Sequence, residues 1–300
     1  MRQGDFPNAI LVLNRAIQLD PQDISIAKDL ALNYYFNKDN NKALEIIKPV
    51  LERDDADDQS FQIAGNIYKE LGQKKDCEKI YRKGIKKFPE SGAMYNELGE
   101  LQWGQNDYTA IKQWEKGIEL DPSYSRNYYN AAKFYYLTTD KVWSILYGEI
   151  FINMEPGGSR SAEIKELLLE SYKKLFTDVD LEANNKDKNN FVRAFLQSMN
   201  KQSSLAFLGI NAESLTMIRT RFILDWNNSN SDKFPFHLFD YQRQLLQEGM
   251  FDAYNQWIFG PAQNLAGFQN WITTHSTEYS SFSNFQKGRV FKVPNGQYYH

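Results

Sequence analysis

The 300-residue sequence has little of what several protein classes require. It contains a single cysteine, Cys77, so no disulfide bond can form within the chain. Its three histidines (His237, His275 and His300) lie too far apart in sequence to form a local metal-binding motif, and we expect no metal or other cofactor. No run of about 18 apolar residues occurs, so the sequence predicts no transmembrane segment.

A large excess of one charge is also absent. The formal net charge is -3 and the isoelectric point is about 5.8. Nucleic-acid-binding domains are usually strongly basic, so we expect no nucleic-acid partner. The locally basic stretch from Lys74 to Lys87 is more typical of the solvated face of a helix.

Catalytic signatures are missing as well. The sequence has no phosphate-binding loop, no zinc-protease helix motif, no nucleophile elbow and no glycine-rich dinucleotide motif. Cys77 lies in a helix where a small side chain recurs, which favours a packing role. The sequence therefore predicts that the protein is not an enzyme.

What the sequence does contain is a repeat. Pro21, Pro89, Pro122 and Pro156 lie 68, 33 and 34 residues apart, and Asp55 lies midway in the longest interval. Proline ends a helix because it lacks an N–H and clashes with the preceding turn. The spacing therefore predicts helical units of about 34 residues.

Two further patterns recur with the prolines. The first helices align at four positions, of which the third is small in every unit (Ala31, Gly65, Gly99 and Ala132). The aligned sets are Ala27, Leu30, Ala31 and Tyr34; Phe61, Ala64, Gly65 and Tyr68; Tyr95, Leu98, Gly99 and Gln102, where Gln102 replaces the tyrosine; and Tyr128, Ala131, Ala132 and Tyr135. The second helices share a small residue at Ala9, Ala43, Cys77, Ala110 and Ser144, followed four residues later by Leu13, Ile47, Tyr81, Trp114 and Gly148. Small residues at a helix crossing let two helices approach closely.

These residues resemble the tetratricopeptide repeat family. The resemblance implies an all-α fold, a right-handed α-α superhelix over residues 1–178, in which the first unit is incomplete. The unit from Gly92 to Tyr124 is one residue short, and we predict the deletion in the turn from Trp103 to Asp107. The incomplete first unit is expected either in a fragment or in a chain whose first helix was lost upstream, and any targeting signal would then lie outside the sequence. The composition favours a bacterial periplasm or cell envelope.

The remainder of the chain resembles no family that we recognise. A polar, asparagine-rich segment predicts a linker near Asn185. Residues 186–300 are predicted to form additional C-terminal helices that pack on or cap the solenoid. Gly260 and Pro261 predict the end of one helix and the start of the next, and the tail after Lys287 is predicted to be extended.

The family resemblance implies that the first helices line a concave groove. Amides there can pair with a peptide backbone, and aromatic side chains offer flat apolar surface with a polar edge. We therefore expect a non-enzymatic interaction scaffold that binds a protein or peptide segment in the groove, through Tyr35, Gln62, Asn66, Asn96, Trp103, Tyr129, Asn130, Lys133 and Tyr136.

Two alternatives remain open at this point. The aromatic-rich region from Phe191 onward favours a second hypothesis, a glycan- or small-ligand-binding module of the cell envelope, in which Trp226, Trp257 and Trp271 would be near the ligand. The incomplete N-terminal unit would also permit self-association through an exposed apolar face. The oligomeric state does not follow from the sequence.

Overall fold

The computed structural model describes residues 4–177, 189–207 and 209–300. These residues fall into two compact units, divided between Asp121 and Pro122, which we call unit 1 and unit 2. Helices are the only regular secondary structure among the residues described, which confirms the all-α helical-repeat fold class. The linker predicted near Asn185 lies outside the described residues. No helix in the described part of the chain is long and apolar enough to cross a membrane.

Unit 1 is a stack of helical hairpins. Its helices are α1 (Phe6–Leu19), α2 (Ile24–Phe36), α3 (Asn40–Val50), α4 (Asp58–Glu70), α5 (Lys74–Lys87), α6 (Gly92–Trp103) and α7 (Ala110–Leu120). Each helix packs on the next one in the chain, and α4 also packs on both α2 and α6. The first helices α2, α4 and α6 therefore form one continuous layer of this unit.

The 34-residue period is visible in the backbone of unit 1. The turn after each first helix contains a residue with positive φ, namely Lys38 (65°), Gly72 (71°) and Asn106 (59°), at successive intervals of 34 residues. This left-handed conformation reverses the chain at the end of a helix, and glycine or asparagine adopts it at the lowest cost. The repeat thus fixes a backbone conformation as well as a packing pattern.

The one-residue deletion in the third hairpin lies slightly later than predicted. Asn106 keeps the full interval from Gly72, so the turn up to that residue is not shortened. The next aligned position is the buried small residue Ala110, which follows Cys77 by 33 residues instead of 34. The Ala110 N–H donates to the Asp107 carbonyl, three residues earlier in the chain. This tighter first turn accounts for the missing residue between Asn106 and Ala110.

Close helix crossings explain why small residues recur in the first helices. A Cβ atom on Gly65 would lie 2.0 Å from the Tyr81 ring, and one on Gly99 would lie 2.4 Å from the Trp114 ring. Cys77, the small residue of α5, is completely buried. The predicted arrangement of small and large side chains is therefore what sets the distance between the paired helices.

Unit 2 begins with a helical hairpin and continues with a larger helical assembly. Its helices are α8 (Ser125–Tyr136), α9 (Lys141–Met154), α10 (Ser159–Leu175), α11 (Asn190–Asn200), α12 (Ser203–Ala206), α13 (Ala212–Ser229), α14 (His237–Gln247), α15 (Phe251–Gln263), α16 (Leu265–Thr274) and α17 (Ser276–Lys287). The α9 helix is buried on nearly all sides, because α8, α10 and α11 all pack against it. Its sequence "KVWSILYGEIFINM" departs from the repeat pattern because it lacks a solvent-facing side.

The last repeat-like hairpin belongs to unit 2, and the predicted division at residues 178–186 stays a prediction. The α10 helix packs against α15, and α9 packs against α11, so the last repeat-like hairpin and the C-terminal helices share one core. The chain therefore groups α8–α10 with the C-terminal region, and the division at Asp121 precedes them.

Two local predictions in unit 2 have different outcomes. The α15 helix does not end at Gly260 but continues through Pro261 to Gln263, and Asn264 caps α16 by accepting a hydrogen bond from the Gly267 N–H. The tail after Lys287 is non-helical and contains a turn at Asn295 and Gly296, and Tyr299 stacks on Phe191 at a ring-centroid distance of 4.6 Å.

Candidate partner-binding surfaces

The nine residues predicted to contact a partner are divided between the two units. Five lie in unit 1, and the other four lie on α8 in unit 2: Tyr35, Gln62, Asn66, Asn96 and Trp103, then Tyr129, Asn130, Lys133 and Tyr136.

A hydrogen-bonded network joins α4, α5 and α6 in unit 1. Gln62 Nε2 donates to Glu97 Oε1 at 2.8 Å, although Glu97 is only 3% exposed. The buried Tyr81 hydroxyl donates to Asn66 Oδ1 at 3.0 Å and lies 3.3 Å from Glu97 Oε2. Burial and the nearby Glu97 carboxylate both raise the pKa of Tyr81, so its hydroxyl keeps its proton at neutral pH.

This network orients the two amides of α4. Gln62 and Asn66 are one helical turn apart, and both are half-buried on the same side of the helix. Because Gln62 uses its Nε2 and Asn66 its Oδ1, Gln62 Oε1 and Asn66 Nδ2 have no partner among the described residues. The pair therefore offers one acceptor and one donor, the complement of a peptide N–H and C=O.

Asn96 lies deeper than the sequence suggested. It is completely buried in α6, and its Nδ2 donates to Glu100 Oε1 at 3.1 Å. Glu100 is partly exposed and lies 4.0 Å from the Lys69 ammonium, which also lies 3.6 Å from Glu97. Asn96 is therefore too deeply buried to contact a partner directly, and it helps to orient Glu100.

The two aromatic residues of this group lie on α2 and α6. Trp103 is half-buried, and its ring centroid lies 5.7 Å from Tyr108 and 6.1 Å from Trp114. Tyr35 is half-buried and contacts Phe36 at 5.4 Å. Both rings pack partly against their own unit and leave part of their surface exposed, which suits contact with an apolar side chain.

In unit 2, α8 carries an aromatic and basic surface. The Tyr129 hydroxyl donates to Glu163 Oε2 of α10 at 2.5 Å, and the Lys133 ammonium lies 2.7 Å from Glu163 Oε1. Burial alone would lower the pKa of Lys133, but its hydrogen bonds to Glu163 and Tyr129 raise it overall, so the amine stays charged. Lys133 also lies 4.8 Å from the Tyr129 ring centroid.

Tyr136 and Asn130 complete the predicted group on α8. The Lys174 ammonium of α10 lies 3.9 Å from the Tyr136 ring centroid, close enough for a cation–π interaction. Asn130 is half-buried one turn before Phe134. The sequence missed Glu163 and Lys174 because α10 follows the last aligned repeat, and no period pointed to its inner side.

The tryptophans of the second hypothesis occupy different environments. Trp226 and Trp257 are buried, with exposed fractions of 2% and 7%. Trp271 is half-buried and stacks on His275 with ring centroids 4.4 Å apart. Two of the three are thus core residues. No group of three or more His, Cys, Asp or Glu residues that could hold a metal ion occurs among the described residues.

Two family models match the N-terminal part of the chain. A tetratricopeptide repeat model matches residues 1–65, and a second tetratricopeptide repeat model matches residues 58–87. No curated protein matches the chain. Among solved structures, the crystal structure of MamA is similar over 58% of this chain and 92% of its own, with 20% sequence identity and a TM-score of 0.40.

Proposed function

We propose that the chain is a protein-interaction scaffold, as the tetratricopeptide repeat matches over residues 1–87 support, and that it holds an extended segment of a partner protein on unit 1. The proposed contact area, which we call the α2–α4–α6 surface, consists of Tyr35, Gln62, Asn66, Lys69, Glu100 and Trp103.

The observation that carries this proposal is the oriented amide pair of α4. An unanchored amide would lose side-chain entropy on binding, whereas Gln62 and Asn66 are already fixed by Glu97 and Tyr81. Their remaining acceptor and donor match the two hydrogen-bonding groups that every peptide unit carries. Recognition of the main chain in this way favours an extended segment over a folded surface.

Side-chain selectivity would come from the neighbours of the amide pair. Trp103 offers an apolar contact, while Lys69 and Glu100 offer charges of both signs. A segment with an apolar residue beside polar or charged ones suits this surface. In unit 2, the α8 surface formed by Tyr129, Asn130, Lys133 and Tyr136 is proposed as a second contact area, of more basic and aromatic character.

Site-specific photocrosslinking tests the proposed location. A benzophenone amino acid replaces Lys69, which leaves the amide pair intact, in one protein and Lys79 in a matched control, since Lys79 is exposed on α5 and outside the α2–α4–α6 surface. We expect a partner from source lysate to crosslink at position 69 and not at position 79. Crosslinking of the same protein from both positions, or only from position 79, would contradict the proposal.

Amide variants test the proposed chemistry. We expect Gln62→Met combined with Asn66→Leu to weaken binding of the crosslinked partner by about tenfold or more, because each lost hydrogen bond contributes about 1 kcal/mol. Gln113→Met on α7 is the control, since Gln113 lies on a second helix and outside the proposed surface. Circular dichroism would establish that all variants are folded. Unchanged affinity in the double variant would exclude the amide pair as a contact with the partner.

A further inference from the structure

The last described residues of unit 2 form a short non-helical segment that lies across several helices. Residues 297–300, which we call the aromatic tail, follow an exposed segment at residues 294–296, where Gly296 has a φ of 83°. Before this segment, Phe291 and Val293 are buried, with exposed fractions of 8% and 9%. An exposed turn therefore separates an anchored part of the chain from the aromatic tail.

Tyr299 is the most fully recognised residue of the aromatic tail. Its ring stacks on Phe191 of α11 at an interplanar angle of 8°, and its hydroxyl donates to the Pro235 carbonyl at 2.7 Å. The Tyr299 carbonyl accepts a hydrogen bond from Asn189 Nδ2. The ring, the hydroxyl and the main chain are thus each contacted, which favours a tyrosine at this place over an aliphatic residue.

Gln297 and His300 make further specific contacts. The His300 Nε2 lies 2.7 Å from the Tyr135 hydroxyl, and the imidazole ring lies edge-on to Trp143 with ring centroids 5.0 Å apart. Gln297 Oε1 accepts a hydrogen bond from the His237 backbone N–H at 2.6 Å. His237 is the first residue of α14, and the N-cap residue of that helix makes no side-chain capping bond, so the Gln297 amide caps the helix.

The surface beneath the aromatic tail is made of core aromatic residues. Tyr135, Trp143 and Phe191 are 7%, 2% and 1% exposed, whereas the aromatic tail itself is half-buried at residues 297–299 and exposed at His300. A segment that lies half in solvent therefore covers rings that its departure would uncover. We call the contacted groups the tail seat, which consists of Tyr135, Trp143, Asn189, Phe191, the Pro235 carbonyl and the His237 N–H.

The aromatic tail is attached through side chains and not through a backbone ladder. In each of its four hydrogen bonds to the tail seat, at least one of the two atoms belongs to a side chain. A segment with half-exposed hydrogen bonds and few buried contacts opens at a lower free energy than a packed helix. Detachment of the aromatic tail would leave the helices of unit 2 in place.

We propose that the tail seat is a recognition site for an extended segment of a partner protein, and that the aromatic tail is its internal competitor. The partner segment has a glutamine, any residue, a tyrosine and a histidine in that order, because the tail seat contacts these groups in the aromatic tail. A tethered segment is present at an effective concentration on the order of 1 mM, so only a partner that binds tightly displaces it. The tail seat shares no residue with the α2–α4–α6 surface or the α8 surface, so this proposal does not rest on the proposed function.

A peptide copy of residues 296–300, Gly-Gln-Tyr-Tyr-His, tests the proposal. Both ends are blocked by a fluorophore and an amide, and fluorescence anisotropy measures its binding to the full chain and to Tyr299→Ala. We expect saturable binding to Tyr299→Ala that is about tenfold or more tighter than to the unaltered protein, because the weakened tail competes less. Tyr108→Ala is the matched control, since Tyr108 is 66% exposed in unit 1, and it should bind the peptide like the unaltered protein.

Two further changes test the contacts of the bound peptide. A peptide with alanine in place of its second tyrosine should not bind, since that tyrosine corresponds to Tyr299. Adding Tyr135→Phe to Tyr299→Ala should weaken binding of the original peptide about fivefold, because the peptide histidine loses one hydrogen bond. Equal binding of both peptides, or no effect of Tyr135→Phe, would contradict the location.

Other outcomes overturn the proposal as a whole. They are no saturable binding to Tyr299→Ala, equal affinity of Tyr299→Ala and the unaltered protein, and a Tyr299→Ala chain that circular dichroism shows to be unfolded, since a displaceable tail predicts a folded variant. Loss of peptide binding in Gln62→Met/Asn66→Leu would place the peptide on the α2–α4–α6 surface instead. Sedimentation that shows dimers of the unaltered protein and none of Tyr299→Ala would make the tail of a second copy the occupant, against the proposed partner.

Discussion

Glu149 of α9 and Arg219 of α13 form an ion pair in the core of unit 2, and each is only 1% exposed. The pair does not stand alone. Gln242 Nε2 and the Tyr254 hydroxyl also donate to Glu149 Oε1, and Arg219 donates to Asn255 Oδ1. The network therefore joins four helices, α9, α13, α14 and α15, around a single carboxylate.

Loss of one charge of this pair should destabilise unit 2 strongly. We expect Arg219→Met to lower the free energy of unfolding by about 3–5 kcal/mol, because it leaves the Glu149 carboxylate buried without a counter-ion. The double variant Arg219→Met/Glu149→Gln should be less destabilised than Arg219→Met alone, since it contains no buried charge. Urea denaturation measures both values.

The exposed ion pair of Lys116 and Glu119 provides the control for that experiment. Its atoms are 2.8 Å apart, but both side chains are nearly half exposed, so Lys116→Met should change the free energy of unfolding very little. The loss of unfolding free energy in Arg219→Met/Glu149→Gln could instead equal the sum of the losses in the two single variants. That result would show that the unpaired buried charge does not cause the destabilisation of Arg219→Met.

The close contact of Gly65 with Tyr81 gives a second prediction. Gly65→Ala should lower the free energy of unfolding by about 1–3 kcal/mol, because the Tyr81 ring, 2.0 Å from the new Cβ, must move and disturb its bonds to Asn66 and Glu97. Gly104→Ala is the control, since its Cβ would approach no atom closer than 3.4 Å. A larger loss in Gly104→Ala than in Gly65→Ala would contradict this explanation.

The repeat region could be predicted from the sequence because its signals are local and periodic. Prolines, small residues and large residues return at about 34-residue intervals, and each has a direct packing consequence, as Gly65 and Tyr81 show. The position of Gln62 and Asn66 on one side of α4 follows from the same period. Their orientation does not, because it depends on Glu97 and Tyr81 of other helices.

The features of unit 2 had no such signal. Glu149 and Arg219 are 70 residues apart, and nothing in a single sequence pairs a glutamate in an atypical repeat helix with an arginine in a later one. The same holds for Phe191 and Tyr299, whose rings stack although the two residues lie far apart in the chain. The helix boundary predicted at Gly260 and Pro261 was also wrong, because α15 continues through Pro261 to Gln263.

Cys77 should be inert in the folded protein. It is fully buried, and burial raises the pKa of its thiol to about 11, so little thiolate exists at neutral pH. We expect a disulfide-exchange reagent such as Ellman's reagent to modify Cys77 only after unfolding in urea. In Lys79→Cys, the added thiol on the exposed side of α5 should react at once. Comparable rates for the two thiols in native buffer would contradict the buried location.

Because Lys165 of α10 is buried, we expect the free energy of unfolding to depend on pH. It is 9% exposed, burial lowers its pKa to about 7, and its ammonium lies 3.7 Å from the Trp257 ring centroid. The unfolded chain has the ordinary, higher lysine pKa, so between these two values it binds more protons than the folded chain. Stability should therefore rise as the pH increases from about 7 toward 10, and the full cost of burying the charge should be present below about pH 7.

Lys165→Met should remove this dependence. We expect it to stabilise the protein most at about pH 6 and least at about pH 10, since the methionine side chain fills similar space without a charge to bury. Lys173→Met, on an exposed side of the same helix, should show no comparable change with pH. Urea denaturation at both pH values measures the difference, and an equal gain at both would mean that Lys165 is charged throughout this range and that the Trp257 ring compensates for its burial.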